Sequence, residues 1–224
     1  MIKAVLMDVD NTLLDFNLSA GEAIKRCCKK FEIPLTGDFL PTFIRINDGL
    51  WQEIENKRLT LTELHKIRWN TVFAALNIRF DGEKFEKDFI SELFNTAIPV
   101  DGAIDLLKYL SQKYMVCAAS NAMLNQQINR LKISGIIPYL SKIFNSEEIG
   151  VRKPDAKFFE ACIRGLSPIK KEEIIMVGDS LSADIEGAEN FGIPAVWFNK
   201  DGKEYKGERN FITVTSLCQI KNIL

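Results

Sequence analysis

Three runs of almost unbroken apolar character constrain this chain most: KAVLMDVD at 3–10, YMVCAASN at 114–121 and EIIMVGDS at 173–180. Each is short and closes on polar residues that can turn the chain. A strand with one wet face alternates apolar and polar residues. A strand that is apolar throughout is buried on both faces, as in a parallel sheet covered by helices. IPAVWFN at 193–199 and the weaker KIFNSEE at 142–148 extend the set.

Helical patterns separate these runs. GAIDLLKYLSQK (102–113) puts Ile104, Leu107 and Leu110 on one face, and PDAKFFEACIRGL (154–166) opens with Pro154, which a first helical turn tolerates. SADIEGAENFG (182–192) stops at Gly192, with Pro194 just beyond. Strand alternating with helix from about residue 100 predicts an α/β fold with a doubly wound, mainly parallel, Rossmann-like sheet. Residues 16–97 break that rhythm with helical patterns at 19–32, 43–57 and 62–76 and no strand-like run. The expected organisation is therefore a core of 1–15 and 98–224 carrying an inserted, all-helical cap domain at 16–97.

A net charge of −1 gives no global basic field, so neither a nucleic acid polymer nor an anionic membrane is an implied partner. Cys27, Cys28, Cys117, Cys162 and Cys218 show no C-x-x-C spacing and are expected to be buried or half-buried reduced thiols. The first residues, MIKAVLMDVD, show no extended apolar h-region, and no window reaches the length of a membrane span. A cytoplasmic protein, monomeric or homodimeric, is expected.

Ligands of an open parallel sheet bind outside the carboxyl ends of its strands. The chemically loaded residues fall there. Asp8 and Asp10 end the first run, Ser120 and Asn121 the second, and Asp179 the third; Lys153 and Asp184 follow strands on the same edge. Residues i and i+2 of a strand point the same way, so Asp8 and Asp10 can face one crevice. One carboxylate can attack an electrophile and the other can move a proton. A divalent cation would relieve their repulsion, with Asp179 as a further hard oxygen ligand. Each feature alone also fits a cap, an Asx turn or a solvated lysine; the joint set, in this order, is specific.

The combination resembles the haloacid dehalogenase-like (HAD) hydrolase superfamily, whose signature after the first strand is D-x-D-x-T, here Asp8-Val9-Asp10-Asn11-Thr12. Ser120, Lys153 in KPD and the stretch GDSLSAD match its later motifs. Ser120 and Asn121 offer a hydroxyl and an amide to a phosphoryl oxygen. The resemblance implies Asp8 as nucleophile, Asp10 as acid/base, and Ser120 and Lys153 at the phosphate, Lys153 also serving catalysis. It implies Mg²⁺, with Mn²⁺ as the alternative, held by Asp8, Asp179 and the backbone carbonyl of Asp10, with Asp184 supporting the site. Asn11 stands where glycine is often found. Dehalogenases of the superfamily lack an aspartate at the second position, so Asp10 points to phosphoryl transfer.

A helical insert between the first two motifs looks like the cap of the C1 subclass. INDGLWQEIENKRLTLTEL and NSEEIGVRKPDAKFFEAC resemble bacterial pyrimidine 5′-nucleotidases that act on noncanonical nucleotides. The implied activity is hydrolysis of a small phosphomonoester, a nucleoside 5′-monophosphate, through an aspartyl-phosphate. The alternatives are a β-phosphoglucomutase-like mutase, a sugar-phosphate or phosphoglycolate phosphatase, and a non-enzymatic module. Trp51, beside a polar NDG break, is a candidate base contact. Phe43 and Trp69 are read first as cap core, and His65 as an ordinary helix residue.

Overall fold

The computed structural model describes residues 1–207 and 210–224. The chain divides into two compact units, Met1–Asp15 with Ile98–Leu224, and Phe16–Ala97.

Among the described residues of the first unit, six strands form one sheet: β1 (Ala4–Met7), β2 (Met115–Ser120), β3 (Lys142–Asn145), β4 (Ile174–Gly178), β5 (Ala195–Phe198) and β6 (Ile212–Val214). Their order is β3-β2-β1-β4-β5-β6 and every pairing is parallel. This is the doubly wound sheet that the apolar runs require. The strand order reverses between β1 and β4, so the carboxyl ends of these two neighbours flank the crevice where such sheets bind ligands. Ala4, Leu6, Ile174, Met176 and Trp197 pack one face against Phe158, Phe159, Ile185 and Ala188.

The second unit is helical, with α1 (Phe16–Lys30), α2 (Phe39–Glu55), α3 (Leu61–Ala75) and α4 (Gly82–Phe94). The first unit adds α5 (Ala103–Leu110), α6 (Leu124–Ile133), α7 (Ser146–Ile149), α8 (Ala156–Gly165) and α9 (Gly187–Phe191), the last preceded by a π-turn at Leu181–Glu186. Gly192 ends α9 in the left-handed conformation, as its position suggests.

Several local expectations are corrected. Pro154 lies outside α8, whose N-cap is Asp155: its carboxylate accepts from Lys157 N at 3.1 Å. In α5, Ile104 is only half-buried, and Ala103, Leu106, Leu107 and Leu110 form the inner face. Four cysteines are buried, but Cys218 is exposed. The NDG stretch does not break α2. Asn47 is buried inside the helix and accepts from Arg68 Nη1 at 2.9 Å, so a tertiary partner offsets its weak helix propensity.

That contact belongs to a buried polar node in the helical unit. Arg68 also donates to Glu86 at 2.5 and 3.2 Å, His65 Nδ1 lies 2.5 Å from Glu86 Oε1, and the guanidinium sits 5.0 Å from the Phe89 ring centroid. Phe43 and Trp69 are fully buried and stack at 5.0 Å, so both are core residues. Trp51 is half-buried on α2. Among the described residues, no helix is long and apolar enough to cross a membrane.

Candidate active site

The backbone after β1 places the two aspartates. Asp8 N still donates to Val177 O at 2.8 Å, one rung beyond the strand; then Leu13 N and Leu14 N both turn back to Val9 O. Asn11 takes φ of 60° in this turn, a left-handed conformation that glycine or asparagine adopts most readily. The substitution at the family's glycine position is thus conformationally equivalent. Because the strand stops at Met7, Asp8 and Asp10 do not share a strand face, and their side chains meet different partners.

Asp8 joins a buried cation. Lys153 Nζ donates to Asp8 Oδ1 at 2.7 Å, to Asp184 Oδ1 at 2.6 Å and to Ala119 O at 2.6 Å. An ammonium has three donors, and all three are committed. Lys153 therefore has no donor left over, and what it offers a further group is the field of a fixed point charge. Asn121 holds the Lys153 backbone from both sides: Lys153 N donates to its Oδ1 at 2.9 Å, and its Nδ2 donates to Lys153 O at 2.9 Å.

The carboxylates of Asp8, Asp179 and Asp184 offer oxygen atoms that all lie within 4.8 Å of one another. Asp184 Oδ2 accepts from Ser180 N at 3.1 Å, and Trp197 Nε1 donates to Asp179 O at 2.9 Å, which fixes the two acidic segments. Gly178 makes room for this. A Cβ there would stand 2.2 Å from Asp184 Oδ2, so the glycine serves close approach and not the sharp turn that its place in the sequence suggests.

Burial, then repulsion from Asp184, pushes the Asp8 carboxyl up to about 7 despite the opposing pull of Lys153. Burial and repulsion from Asp8 and Asp184 likewise hold Asp179 well above the usual carboxylate range. Fully ionised, three acids against one ammonium would carry an excess of negative charge. An all-oxygen set with that excess fits a hard dication such as Mg²⁺ or Mn²⁺.

Asp10 adds its charge to the repulsion on Asp8 but takes different hydrogen-bond partners. Its Oδ1 accepts from Arg130 Nη1 at 2.6 Å and its Oδ2 from Gln127 Nε2 at 2.5 Å. Gln127 Nε2 also donates to Ser120 Oγ at 3.0 Å, and Ala122 N donates to the same oxygen at 3.1 Å. With its oxygen accepting twice, the Ser120 hydroxyl keeps its own proton to donate. Gln127 and Arg130 escape the sequence reading; their one signal is a polar i, i+3 pair directly after the second apolar run. Trp51 belongs to the helical unit.

A family model for haloacid dehalogenase-like hydrolases matches residues 2–192. The pyrimidine 5′-nucleotidase PynA of Streptococcus pneumoniae is 33% identical over 198 residues, covering 88% of this chain and 84% of its own. The pyrimidine 5′-nucleotidase YjjG of Escherichia coli is 26% identical over 221 residues, 98% of this chain and 96% of its own. The crystal structure of the HAD-hydrolase YfnB from Bacillus subtilis, bound to magnesium, matches with a TM-score of 0.93 at 30% identity, covering 99% of this chain and 98% of that one. Sheet order, acidic cluster and matched length agree: the chain belongs to the haloacid dehalogenase-like hydrolase family.

Proposed function

We propose that this hydrolase is a Mg²⁺-dependent phosphomonoesterase that cleaves nucleoside 5′-monophosphates through an aspartyl-phosphate on Asp8. The observation that carries this reading is the buried assembly of Asp8 and Asp184 on one ammonium, with Asp179 beside them at the β1–β4 crevice. The names of PynA and YjjG support the nucleotide as substrate.

Asp8 attacks phosphorus while the bond to the leaving oxygen breaks, and Asp10 gives that oxygen its proton. Water then attacks the acyl phosphate, the bond to Asp8 breaks, and Asp10 takes the water proton. Ser120 donates its hydroxyl to a phosphoryl oxygen, and Asn121 keeps the Lys153 loop in place. Asp8, Asp179 and the Asp10 carbonyl would hold Mg²⁺, with Asp184 completing the acidic set. When bound, the ion masks negative charge on carboxylates and phosphate. Trp51 is the proposed contact for the nucleobase, since an aromatic face accepts any base.

A panel of UMP, dTMP and sugar phosphates, scored for free phosphate, tests the reading. Expected are release from the nucleotides, loss in Asp8→Asn, and silencing by EDTA with recovery on Mg²⁺. Isomerised sugar without free phosphate would replace the hydrolase by a mutase, and chelator-resistant turnover would remove the metal.

A further inference from the structure

Helix α6 buries a mostly polar face: Gln126, Gln127 and Arg130 are buried beside Leu131, while Ile128 and Ile133 are 39% and 51% exposed. A helix selected only for packing turns its apolar residues inward. An inward guanidinium carries a large desolvation cost, and the ion pair that offsets it adds little net stability. The buried Gln127 and Arg130 therefore serve something other than packing, and what they touch is Asp10.

Both Asp10 oxygens are taken, one by Arg130 and one by Gln127, and Arg130 Nη1 also donates to Gln127 Oε1 at 3.2 Å. The two donors thus brace each other. Gln127 extends the brace to Ser120 at the end of β2. Asp10 itself lies beyond β1, in an isolated bridge to Leu14, with a side chain 28% exposed. Its direction comes from α6.

We propose that Arg130 and Gln127 are positioning residues that hold the Asp10 carboxylate in acceptor geometry for the water that cleaves the aspartyl-phosphate. This deepens the function proposed above and rests on its assignment of Asp10. In that step the water oxygen bonds to phosphorus, the phosphorus–oxygen bond to Asp8 breaks, and one water proton passes to the Asp10 oxygen. Each Asp10 oxygen that accepts from α6 retains a further lone pair for that proton.

The consequence is a split between kinetic constants. On p-nitrophenyl phosphate, whose leaving group needs no proton from Asp10, slowing the second step lowers kcat and KM together, leaves kcat/KM nearly unchanged and lets phosphorylated protein accumulate. On UMP the Asp10-dependent first step slows as well, and kcat/KM falls. Arg130→Met and Gln127→Leu keep the side-chain bulk and remove the donors. The full-length variants, checked for a cooperative melt, are assayed with Mg²⁺ on UMP and on p-nitrophenyl phosphate. Acid-quenched samples are weighed by intact-protein mass spectrometry, with Asp10→Asn alongside. In Arg130→Met, kcat on p-nitrophenyl phosphate should fall on the order of a hundredfold, the lower end for lost proton-transfer catalysis. With that substrate KM should fall in step, and phosphorylated protein should accumulate. Wild-type kcat in both α6 variants, or a fall in kcat/KM on p-nitrophenyl phosphate without phosphorylated protein, overturns the inference if Asp10→Asn is impaired. An Asp10→Asn protein that turns over normally overturns the function proposed above instead. If one α6 variant fails to melt cooperatively, the other decides.

Discussion

Lys153 Nζ meets Asp8 Oδ1 at 2.7 Å with only 2% of the lysine side chain exposed. Burial alone would lower the lysine's proton affinity, but attraction to Asp184 and Asp8 raises it, so the ammonium stays charged. Lys153→Met would leave Asp8, Asp179 and Asp184 without their buried cation. Removing one partner of such a pair costs about 3–5 kcal/mol. Urea unfolding of the metal-free variant should show a loss of this size, together with loss of phosphate release. An unchanged midpoint would contradict the pairing.

The raised carboxyls tie stability to pH. Asp8 protonates near about 7 in the folded chain and near about 4 when unfolded. Below about 4 the group is protonated in both states, and its contribution is fully present. As pH rises through about 7 the folded protein must ionise a buried acid, so that stability is lost; Asp179 acts in the same direction. Metal binding needs deprotonated ligands. The chelated protein should therefore melt lower at pH 8 than at pH 5.5, and Mg²⁺ should raise the melting temperature more at pH 8. Equal Mg²⁺ shifts at both values would refute the linkage.

Two glycines predict opposite signs. A methyl at Gly178 would occupy the place of the Asp184 carboxylate, so Gly178→Ala should lose phosphate release and about 1–3 kcal/mol of stability through overpacking. Gly49 lies in α2 with nothing within 4 Å of an added Cβ, and Gly49→Ala should gain about 0.5–1 kcal/mol. Chemical denaturation of both variants checks the pair.

The Arg68–Glu86 node in the helical unit gives a fourth test. Both side chains are 5% exposed. Arg68→Met leaves Glu86 a buried carboxylate without its guanidinium and should cost about 3 kcal/mol or more, whereas adding Glu86→Leu should recover most of it. A double variant as unstable as the single one would show that packing, not charge, dominates there.

The parallel sheet was legible because its central strands are buried on both faces, which leaves nearly continuous apolar runs such as Ala4–Met7 and Ile174–Gly178. β6 was not: it is three residues long, and Ile212 is 47% exposed at the sheet edge. The acidic residues stood out because they terminate these runs. Helix α6 gave no comparable signal, since three of its four buried residues are polar and Ile128 and Ile133 lie exposed, which blurs the apolar stripe that marks a helix. The helical pattern at 43–57 carried α2 through NDG, but what stabilises Asn47 there was hidden, because its partner lies 21 residues away in sequence.

Asp15 N donates to Ile98 O at 2.8 Å, Val100 N donates to Leu13 O at 3.0 Å, and Leu14 bridges Pro99 in antiparallel fashion. The chain thus departs the sheet unit and returns to it along one short zipped stem. Whatever length of chain is spliced in beyond that stem, the path through the six strands stays the same.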